Sequence, residues 1–321
     1  GAFEYSSKSL GGMFPTLGAA LQPKRWRMLM DYFRFCRYAK KWIAEGEEQI
    51  SLGELLKRSG AGEQFIQGFI LPMGAAIWSC PVSTMLEYPA RTFVRFFENH
   101  GLLGVNDQPV WYTVTGGSKT YVEKVTDGLA DALKLSCGVK AVRREADSVI
   151  VEDEQGGSER FDQVVFASHA DEALAMLENP TEREQQLLGA FRFQPNTAYL
   201  HCDTSIMPRQ KKCWASWVYH SNNGGQDTRP HLAVSYWMNL LQMLPQDYPL
   251  FVTLNPLRDP AEGTVFDKHI FTHPIFDQPA IDAQEKLPEI QGADRIWYTG
   301  AWQRYGFHED GIAQPCGSLN S

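Results

Sequence analysis

The sequence predicts a mixed α/β protein in which two domains alternate along the chain. Residues 1–110 show mainly helical apolar periodicity, whereas residues 111–190 combine short apolar strands with helices. Residues 191–290 are rich in aromatic, strand-like segments, and residues 291–321 return to the preceding sheet pattern. Because the two patterns alternate, we expect two discontinuous domains, one made of 1–110 with 191–290 and the other of 111–190 with 291–321.

Composition narrows the class of protein. The 321 residues are 43% hydrophobic and 12% aromatic, which is ample for a buried core. The net charge of −8 argues against nucleic acid as the main partner. Six scattered cysteines form no CxxC pair and no metal-ligand spacing with histidine, so we expect reduced thiols, no metal site and a cytoplasmic location. The most apolar stretch, 65–78, contains proline and glycine and is too short for a transmembrane helix.

Residues 23–44 predict a helix that carries an unusual excess of positive charge. Its apolar positions at helical spacing are Trp26, Leu29, Met30, Phe33 and Tyr38. Seven basic residues and a single acidic one lie between positions 24 and 41. Two interpretations stay open: a core helix with a solvated basic face, or an interfacial helix that meets anionic lipid headgroups or an acidic substrate.

Three further segments complete the helical part of the sequence. Residues 51–59 predict a capped helix, and residues 89–103 predict a helix with a phenylalanine-rich inner face. Residues 69–81, FILPMGAAIWSCP, are dense in small and apolar side chains. We interpret them either as a buried helix–turn junction or as a wall that faces a cofactor or substrate.

The sheet pattern begins near residue 114. Residues 114–133 predict a short strand, a Gly116-Gly117 turn and a helix; a strand and a hairpin follow. The apolar run 164–167 predicts a buried strand with a ligand site near its carboxyl end. At the end of the chain, residues 295–298 predict a strand that stops at Gly300, and residues 308–312 read as the start of a helix.

Common catalytic motifs do not occur in the sequence. There is no GxGxxG, GxxxxGK[ST], HExxH or GxSxG, and the histidines are dispersed. The residues alone therefore predict a large α/β protein with an aromatic-rich second domain, without naming its chemistry.

A family resemblance goes further than these patterns. It rests on six motifs in order: FILPMGAAIWSCP, FFENHGLL, TVTGGSKTYVEKV, VVFASHADEAL, YWMNLLQ and WYTGAWQRYGFHEDGI. Over residues 5–312 the chain resembles a bacterial branch of the flavin-containing amine oxidases and phytoene-desaturase-like enzymes. The resemblance implies an FAD-dependent oxidoreductase that transfers a hydride from a C–H or C–N bond of a small molecule or a lipid acyl chain. It also implies a partial Rossmann-like FAD-binding domain (111–190 and 291–321), interleaved with a substrate domain that is helical in 1–110 and a mixed sheet in 191–290.

The resemblance also implies site residues. Main-chain groups of Val139 would hold the adenine, and the strand end at Gly300 would approach the ribityl-pyrophosphate arm. A helix start near residue 310 would direct its N–H groups at the N1–C2=O edge of the isoalloxazine. The implied cofactor contacts are Val139, Gly300, Ala301, Asp310, Gly311 and Ile312. Aromatic and polar candidates for facing the substrate are Trp78, Trp237, Tyr305 and His308. No catalytic acid or base is assigned.

Two departures from the family pattern bear on function. The family's first βαβ unit, with its GxGxxG loop, does not occur in this sequence, and Pro315 is expected to end the last helix. We therefore expect a truncated chain that binds FAD weakly or not at all. A non-catalytic binding or interaction module and a degenerate fragment remain alternatives to an active enzyme.

Overall fold

The chain folds as a mixed α/β protein with two compact, discontinuous units. The computed structural model describes residues 3–46, 48–78, 84–104, 110, 112–221 and 233–318, and for 130, 131 and 314–318 it describes the backbone only. The first unit comprises Gly1–Glu123 and Pro195–His273, and the second comprises Lys124–Gln194 and Pro274–Ser321. The unit borders thus fall after residues 123, 194 and 273, where the sequence predicts borders after 110, 190 and 290. The roles given to the two domains stay predictions.

Helices and strands alternate unevenly along the described residues. The helices are α1 (Leu10–Met13), α2 (Leu17–Ala20), α3 (Pro23–Ala44), α4 (Leu52–Arg58), α5 (Glu63–Phe65), α6 (Leu71–Trp78), α7 (Ala90–Asn99), α8 (Lys119–Thr126), α9 (Ala170–Met176), α10 (Glu182–Leu188), α11 (Met238–Leu241), α12 (Gln278–Gln284) and α13 (His308–Ser318). The strands are β1 (Val139–Arg144), β2 (Val149–Asp153), β3 (Ser158–Phe161), β4 (Val164–Phe166), β5 (Arg192–His201), β6 (Trp217–His220), β7 (Ala233–Trp237), β8 (Phe251–Leu254), β9 (Val265–Ile275) and β10 (Ile296–Tyr298). The helices predicted at 23–44, 51–59 and 89–103 are confirmed as α3, α4 and α7. No helix among these residues is both long and apolar enough to cross a bilayer.

Segment 69–81 enters the helical core of the first unit. A π-helical turn at Ile66–Ile70 continues into the buried helix α6. Gly74 packs so closely that a Cβ there would lie 2.7 Å from Met85 Cε and 2.9 Å from Phe93 Cε2. Close helix packing therefore explains the small residues of this segment, whose last three residues, 79–81, lie outside the described part of the chain.

The buried face of α3 is different from the apolar face that the core-helix interpretation predicts. Trp26, Met30 and Phe33, predicted to face the core, are exposed. The core side chains of α3 are Arg25, Met28, Asp31, Phe35, Cys36, Ala39 and Trp42.

Two buried charges mark this inner face of α3, and both have distant partners. Arg25 Nη1 donates to the carbonyl of Met13 at 2.9 Å. The Asp31 carboxylate accepts from the N–H of Gly62 at 3.1 Å. Because those partners lie far along the chain, helical periodicity gives no sign that charged residues are satisfied in the core.

A five-stranded sheet forms the rest of the first unit. Its order is β6-β7-β8-β5-β9, and β6, β7, β8 and β5 pair in antiparallel fashion along this order. The predicted aromatic strands are confirmed as β5 to β8. Strand β9 is missed by the sequence analysis because it lies at the sheet edge, with most of its side chains exposed on both faces, so it lacks an alternating pattern.

A chain of hydrogen bonds crosses this sheet from strand to strand. The Nδ1 atom of His201 accepts from the N–H of Asp203 at 3.1 Å, so the ring proton of the neutral imidazole lies on Nε2. Nε2 therefore donates to Thr253 Oγ1 at 2.7 Å. Thr253 and Ser235 hydroxyls are 2.6 Å apart, and Ser235 Oγ lies 2.8 Å from His220 Nε2. Three of these four side chains, those of His201, Thr253 and Ser235, are fully buried, and the network satisfies their hydrogen-bonding groups.

Acidification is expected to weaken the first unit through His201. Burial lowers the pKa of this imidazole, against the opposing effect of the Asp203 carboxylate. The native imidazole thus binds a proton less readily than the unfolded one, and its contribution to stability is complete above about pH 6.5 and is lost as the pH falls from there. As the pH falls below about 6.5, we expect the thermal midpoint of wild type to drop and that of His201→Gln to drop less. Parallel pH profiles for the two proteins would contradict the prediction.

The second unit contains two small sheets. Strands β1, β2 and β3 form an antiparallel sheet, which confirms the predicted hairpin. Strands β4 and β10 pair in parallel, with Val164 opposite Ile296 and Phe166 opposite Tyr298. In the first unit, the strand predicted just before Gly116 is wrong, since residues 112–114 are irregular. Helix α8, which follows them and ends in the second unit, buries none of its side chains.

A buried carboxylate connects the helices and strands of this unit. Glu184 Oε1 accepts from the Tyr298 hydroxyl at 2.6 Å and forms an ion pair with Arg144. Its Oε2 accepts from the N–H of Thr181 at 2.8 Å, which completes a capping box at the start of α10. One side chain thereby joins β1, α10 and β10.

Candidate functional site

The candidate site lies at the carboxyl end of the β4–β10 pair. The ladder continues one residue beyond β10, where the N–H of Thr299 donates to the carbonyl of Phe166 at 2.8 Å. Gly300 then turns the chain into a short 3₁₀ turn at Ala301–Gln303. In parallel sheets this edge is the usual place for ligands, because the loops that follow the strands converge there.

Gly300 has a conformation that is open to glycine alone. Its φ and ψ are 153° and 158°, a region that residues with a Cβ essentially do not occupy. A Cβ there would lie 2.5 Å from Trp302 Nε1 and 2.7 Å from Trp302 Cδ1. The indole of Trp302 is buried, donates to the carbonyl of Ser168 at 3.1 Å and packs edge-on against Phe191. The approach of Trp302 is thus a structural reason for this glycine, and a cofactor contact at Gly300 stays a prediction.

The start of α13 lies beside this turn. An ideal Cβ on Gly311 would be 3.9 Å from Ala301 N and 4.0 Å from Ala301 Cβ. The strand end and the helix start are therefore neighbours, with no side chain on Gly311 to separate them. The N–H groups of Glu309 and Asp310 lie in the first turn of α13, where an α-helix offers no acceptor of its own.

Helix α13 begins at His308, which confirms the helix start predicted for residues 308–312, and it extends further than predicted. Asp310 is buried, and its Oδ2 accepts from the N–H of Phe307 at 3.0 Å, which fixes the helix start. The helix continues through Pro315 to Ser318, so the predicted stop at Pro315 is wrong. A proline inside a helix removes one hydrogen bond, here the one to the carbonyl of Gly311, without requiring that the helix end.

Thr299 supplies an additional polar group at the site. Its Oγ1 is buried and has no hydrogen-bond partner among the described residues. A buried hydroxyl without a partner is unfavourable, and Ser148 Oγ is a second such group among the described residues. The first-turn N–H groups of α13 are donors of the kind that the electron-rich edge of a flavin requires. The residues present fit that group.

Glutamine side chains hold the turn in place. Gln303 Nε2 donates to the carbonyl of Tyr298 at 2.8 Å. Gln284 Nε2, on α12, donates to the carbonyls of Trp302 at 2.9 Å and Arg304 at 2.8 Å. Sequence reasoning missed these glutamines and Thr299, because side chains that bind main-chain carbonyls follow no sequence pattern.

Val139 and Ile312 are the remaining predicted cofactor contacts. Val139 is the first residue of β1, and its side chain is exposed. Ile312 is exposed on the first turns of α13. The structure thus brings Gly300, Ala301 and Gly311 together and gives Val139 a separate place in the β1–β2–β3 sheet.

The four substrate-facing candidates divide between the two units. In the first unit, Trp78 is buried and lies 4.7 Å from Tyr88 between ring centroids, and Trp237 packs edge-on against Trp214. In the second unit, Tyr305 is half-buried and His308 is exposed at the start of α13. Their contact with a substrate stays a prediction.

Comparison with solved structures relates this fold to known enzymes. The CLA-producing fatty acid isomerase from P. acnes superposes with a TM-score of 0.65 at 10% identity, over 95% of this chain and 76% of that one. A double mutant of putrescine oxidase gives 0.62 at 11% identity, over 99% and 78%. Cyclohexylamine oxidase from Brevibacterium oxydans gives 0.55 at 10% identity, over 85% and 67%. At these identities the likeness shows the fold.

The family follows from the sequence itself. Comparison with curated proteins gave no match. The sequence profile of the flavin-containing amine oxidoreductases matches residues 21–239, which is more than half of the chain. The chain therefore belongs to the flavin-containing amine oxidoreductase family, a family of FAD-dependent enzymes.

Proposed function

We propose that the second unit binds the flavin of FAD at the turn between β10 and α13, and that the protein oxidises a C–H bond of an apolar substrate. The observation that carries this proposal is the proximity of Ala301 to Gly311, where an added Cβ would lie 3.9 Å from Ala301 N. The strand end is therefore a neighbour of the first-turn N–H groups of α13. FAD would supply the hydride acceptor there.

The chain's own residues would position the cofactor and exclude water. The N–H groups of Glu309 and Asp310 would donate to the cofactor's electron-rich edge, and the helix end adds a favourable dipole. Thr299 Oγ1 would donate a further hydrogen bond from its buried position. The Trp302 indole closes the inner side of the turn against solvent. Such fixed donors stabilise charge without rearrangement, which favours hydride acceptance.

An acyl chain is the substrate class that we favour. An exposed apolar and basic face on α3 suits a lipid, and the fold is shared with a fatty acid isomerase. An amine is the second candidate, because putrescine oxidase and cyclohexylamine oxidase share the fold as well. Anaerobic bleaching of the flavin by a fatty acid or by an amine distinguishes the two candidates.

Replacing Thr299 by valine is expected to weaken FAD binding about 5- to 10-fold, the effect of one lost hydrogen bond of about 1 kcal/mol. The shape of the side chain is kept. Because the hydroxyl has no partner among the described residues, the thermal midpoint without FAD should not fall. The affinity is measured by equilibrium dialysis or by quenching of flavin fluorescence in the purified full chain.

Ser148→Ala is the matched control. Its hydroxyl is likewise buried and without a partner among the described residues, but it lies directly before β2. We expect its FAD affinity to equal that of wild type. Equal affinities for wild type and Thr299→Val would contradict the assigned site, and no uptake of FAD by wild type would favour a non-catalytic binding module.

A further inference from the structure

Helices α2 and α3 of the first unit carry an exposed apolar surface. We call it the α2–α3 patch; its apolar members are Leu17, Leu21, Trp26, Met30 and Phe33. Leu17 is 89% exposed, Leu21 83% and Met30 63%. Contiguous exposed apolar side chains of this size usually mark a contact with a partner or a membrane.

The patch is continuous between the two helices. The indole N–H of Trp26 donates to the carbonyl of Ala20 at 2.8 Å, which holds the end of α2 against α3. Leu21 follows directly, so it adjoins the exposed face of α3. On α3, Trp26, Met30, Phe33 and Arg37 are spaced by four, three and four residues, and this spacing places them on one stripe.

The opposite stripe of α3 already anchors the helix. Met28, Phe35 and Ala39 are at most 1% exposed and pack in the core. Apart from Trp26, which stacks on Phe14 and binds the end of α2, the apolar side chains of the α2–α3 patch are therefore not needed to hold α3 in the unit, and an additional contact explains them.

Uncompensated positive charge surrounds the apolar stripe. Arg27, Arg37 and Lys40 are exposed and form no ion pair with any residue in the described part of the chain. By contrast, Arg34 pairs with Asp31 at 2.5 Å, and Lys41 lies 3.5 Å from Glu45. In a chain of net charge −8, this positive charge is local and would meet a negative surface.

We propose that the α2–α3 patch docks the protein on the surface of an anionic lipid bilayer. The leucine, tryptophan and methionine side chains would enter the headgroup region, and Arg27, Arg37 and Lys40 would lie against lipid phosphates. This combination of an apolar stripe and flanking cations matches an interfacial helix, and charge complementarity selects an anionic bilayer over a neutral one.

Co-sedimentation of the full chain with vesicles tests this docking. Wild type should bind phosphatidylcholine vesicles that contain phosphatidylserine, and should bind pure phosphatidylcholine more weakly. The variant Arg27→Gln/Arg37→Gln/Lys40→Gln should bind the anionic vesicles on the order of 100-fold more weakly, at about fivefold for each cation. The variant Leu17→Ser/Leu21→Ser/Met30→Ser should lose at least about tenfold while its remaining binding stays sensitive to salt.

Matched control variants test whether vesicle binding depends on the α2–α3 patch or on exposed charge and apolar side chains anywhere on the protein. Lys124→Gln/Lys140→Gln/Lys286→Gln removes three exposed lysines of the second unit, and Ile270→Ser removes an exposed apolar side chain of β9. Both should bind vesicles like wild type. All substitutions are at exposed positions, and unchanged thermal midpoints would show that the variants fold.

Three results would overturn the proposal: no binding of wild type to anionic vesicles, equal losses in the patch and control variants, or dimers in solution that Met30→Ser disperses while vesicles are ignored. The measurement requires no FAD, so its failure would leave the proposed oxidoreductase function intact. Conversely, a failure to bind FAD would leave the vesicle result standing.

Discussion

Replacing Glu184 by alanine is expected to lower the stability of the second unit by about 3–5 kcal/mol, the usual effect of removing one partner of a buried ion pair. The Glu184 side chain is 2% exposed, and that of Arg144 is 17% exposed. Without the carboxylate, the Arg144 guanidinium loses its closest counter-charge and the Tyr298 hydroxyl loses its acceptor. Thr181 also loses the carboxylate that completes its capping box. We expect a large drop in the midpoint of the calorimetric transition of this unit.

Glu182→Ala is the control for this change. Glu182 lies in the same first turn of α10 but is exposed, so its loss should change stability by no more than about 1 kcal/mol. Tyr298→Phe tests the network from its other end, because it removes only the hydroxyl and should cost about 1–3 kcal/mol. If Glu184→Ala and Glu182→Ala melted at the same temperature, the buried carboxylate would not be holding β1, α10 and β10 together.

Replacing Gly300 by alanine is expected to destabilise the protein by about 2–6 kcal/mol and to weaken FAD binding at the same time. The backbone conformation of Gly300 excludes a Cβ, and such strain costs on the order of 1–3 kcal/mol. The added methyl group would also collide with the buried Trp302 indole, and overpacking of this kind typically costs about 1–3 kcal/mol. Displacing Trp302 would move the turn that adjoins α13, so dialysis against FAD should show a lower affinity.

Gly128→Ala gives the matched control. Gly128 has no heavy atom within 4 Å of the position that a Cβ would occupy and does not have a positive φ. We expect unchanged or slightly higher stability, since alanine restricts the unfolded chain. Tryptophan fluorescence would report the displacement of Trp302 in Gly300→Ala and no change in Gly128→Ala. If Gly300→Ala were as stable as wild type, the turn would tolerate a Cβ, and neither backbone strain nor the approach of Trp302 would explain the glycine.

Local patterns predicted most of the secondary structure but not the buried faces. Helices α3, α4 and α7 follow from periodicity and capping residues, and β4 follows from an uninterrupted apolar run. The α3 face was predicted wrongly because apolar residues occur on both sides of that helix. The side of α3 that faces the core also holds Arg25 and Asp31, which are satisfied by Met13 and Gly62.

In the candidate site, too, local features were predicted and tertiary contacts were not. The strand end at Gly300 and a helix start near Gly311 were predicted from the final residues of the chain, and the family resemblance gave them a meaning. The unpartnered hydroxyl of Thr299 and the close contact of Gly300 with Trp302 were not predicted. Both depend on atoms that approach only after the chain has folded.

Periodicity and motif order, which are local properties of the chain, predicted most of its helices and strands and its membership in the flavin-containing amine oxidoreductases. The exposed face of α3, the proximity of Ala301 to Gly311 and the links from Glu184 to distant strands and helices emerge only in the folded chain. They could not be predicted, because the burial of a polar or charged group depends on partners far along the chain. Those partners come within hydrogen-bonding distance only in the folded protein.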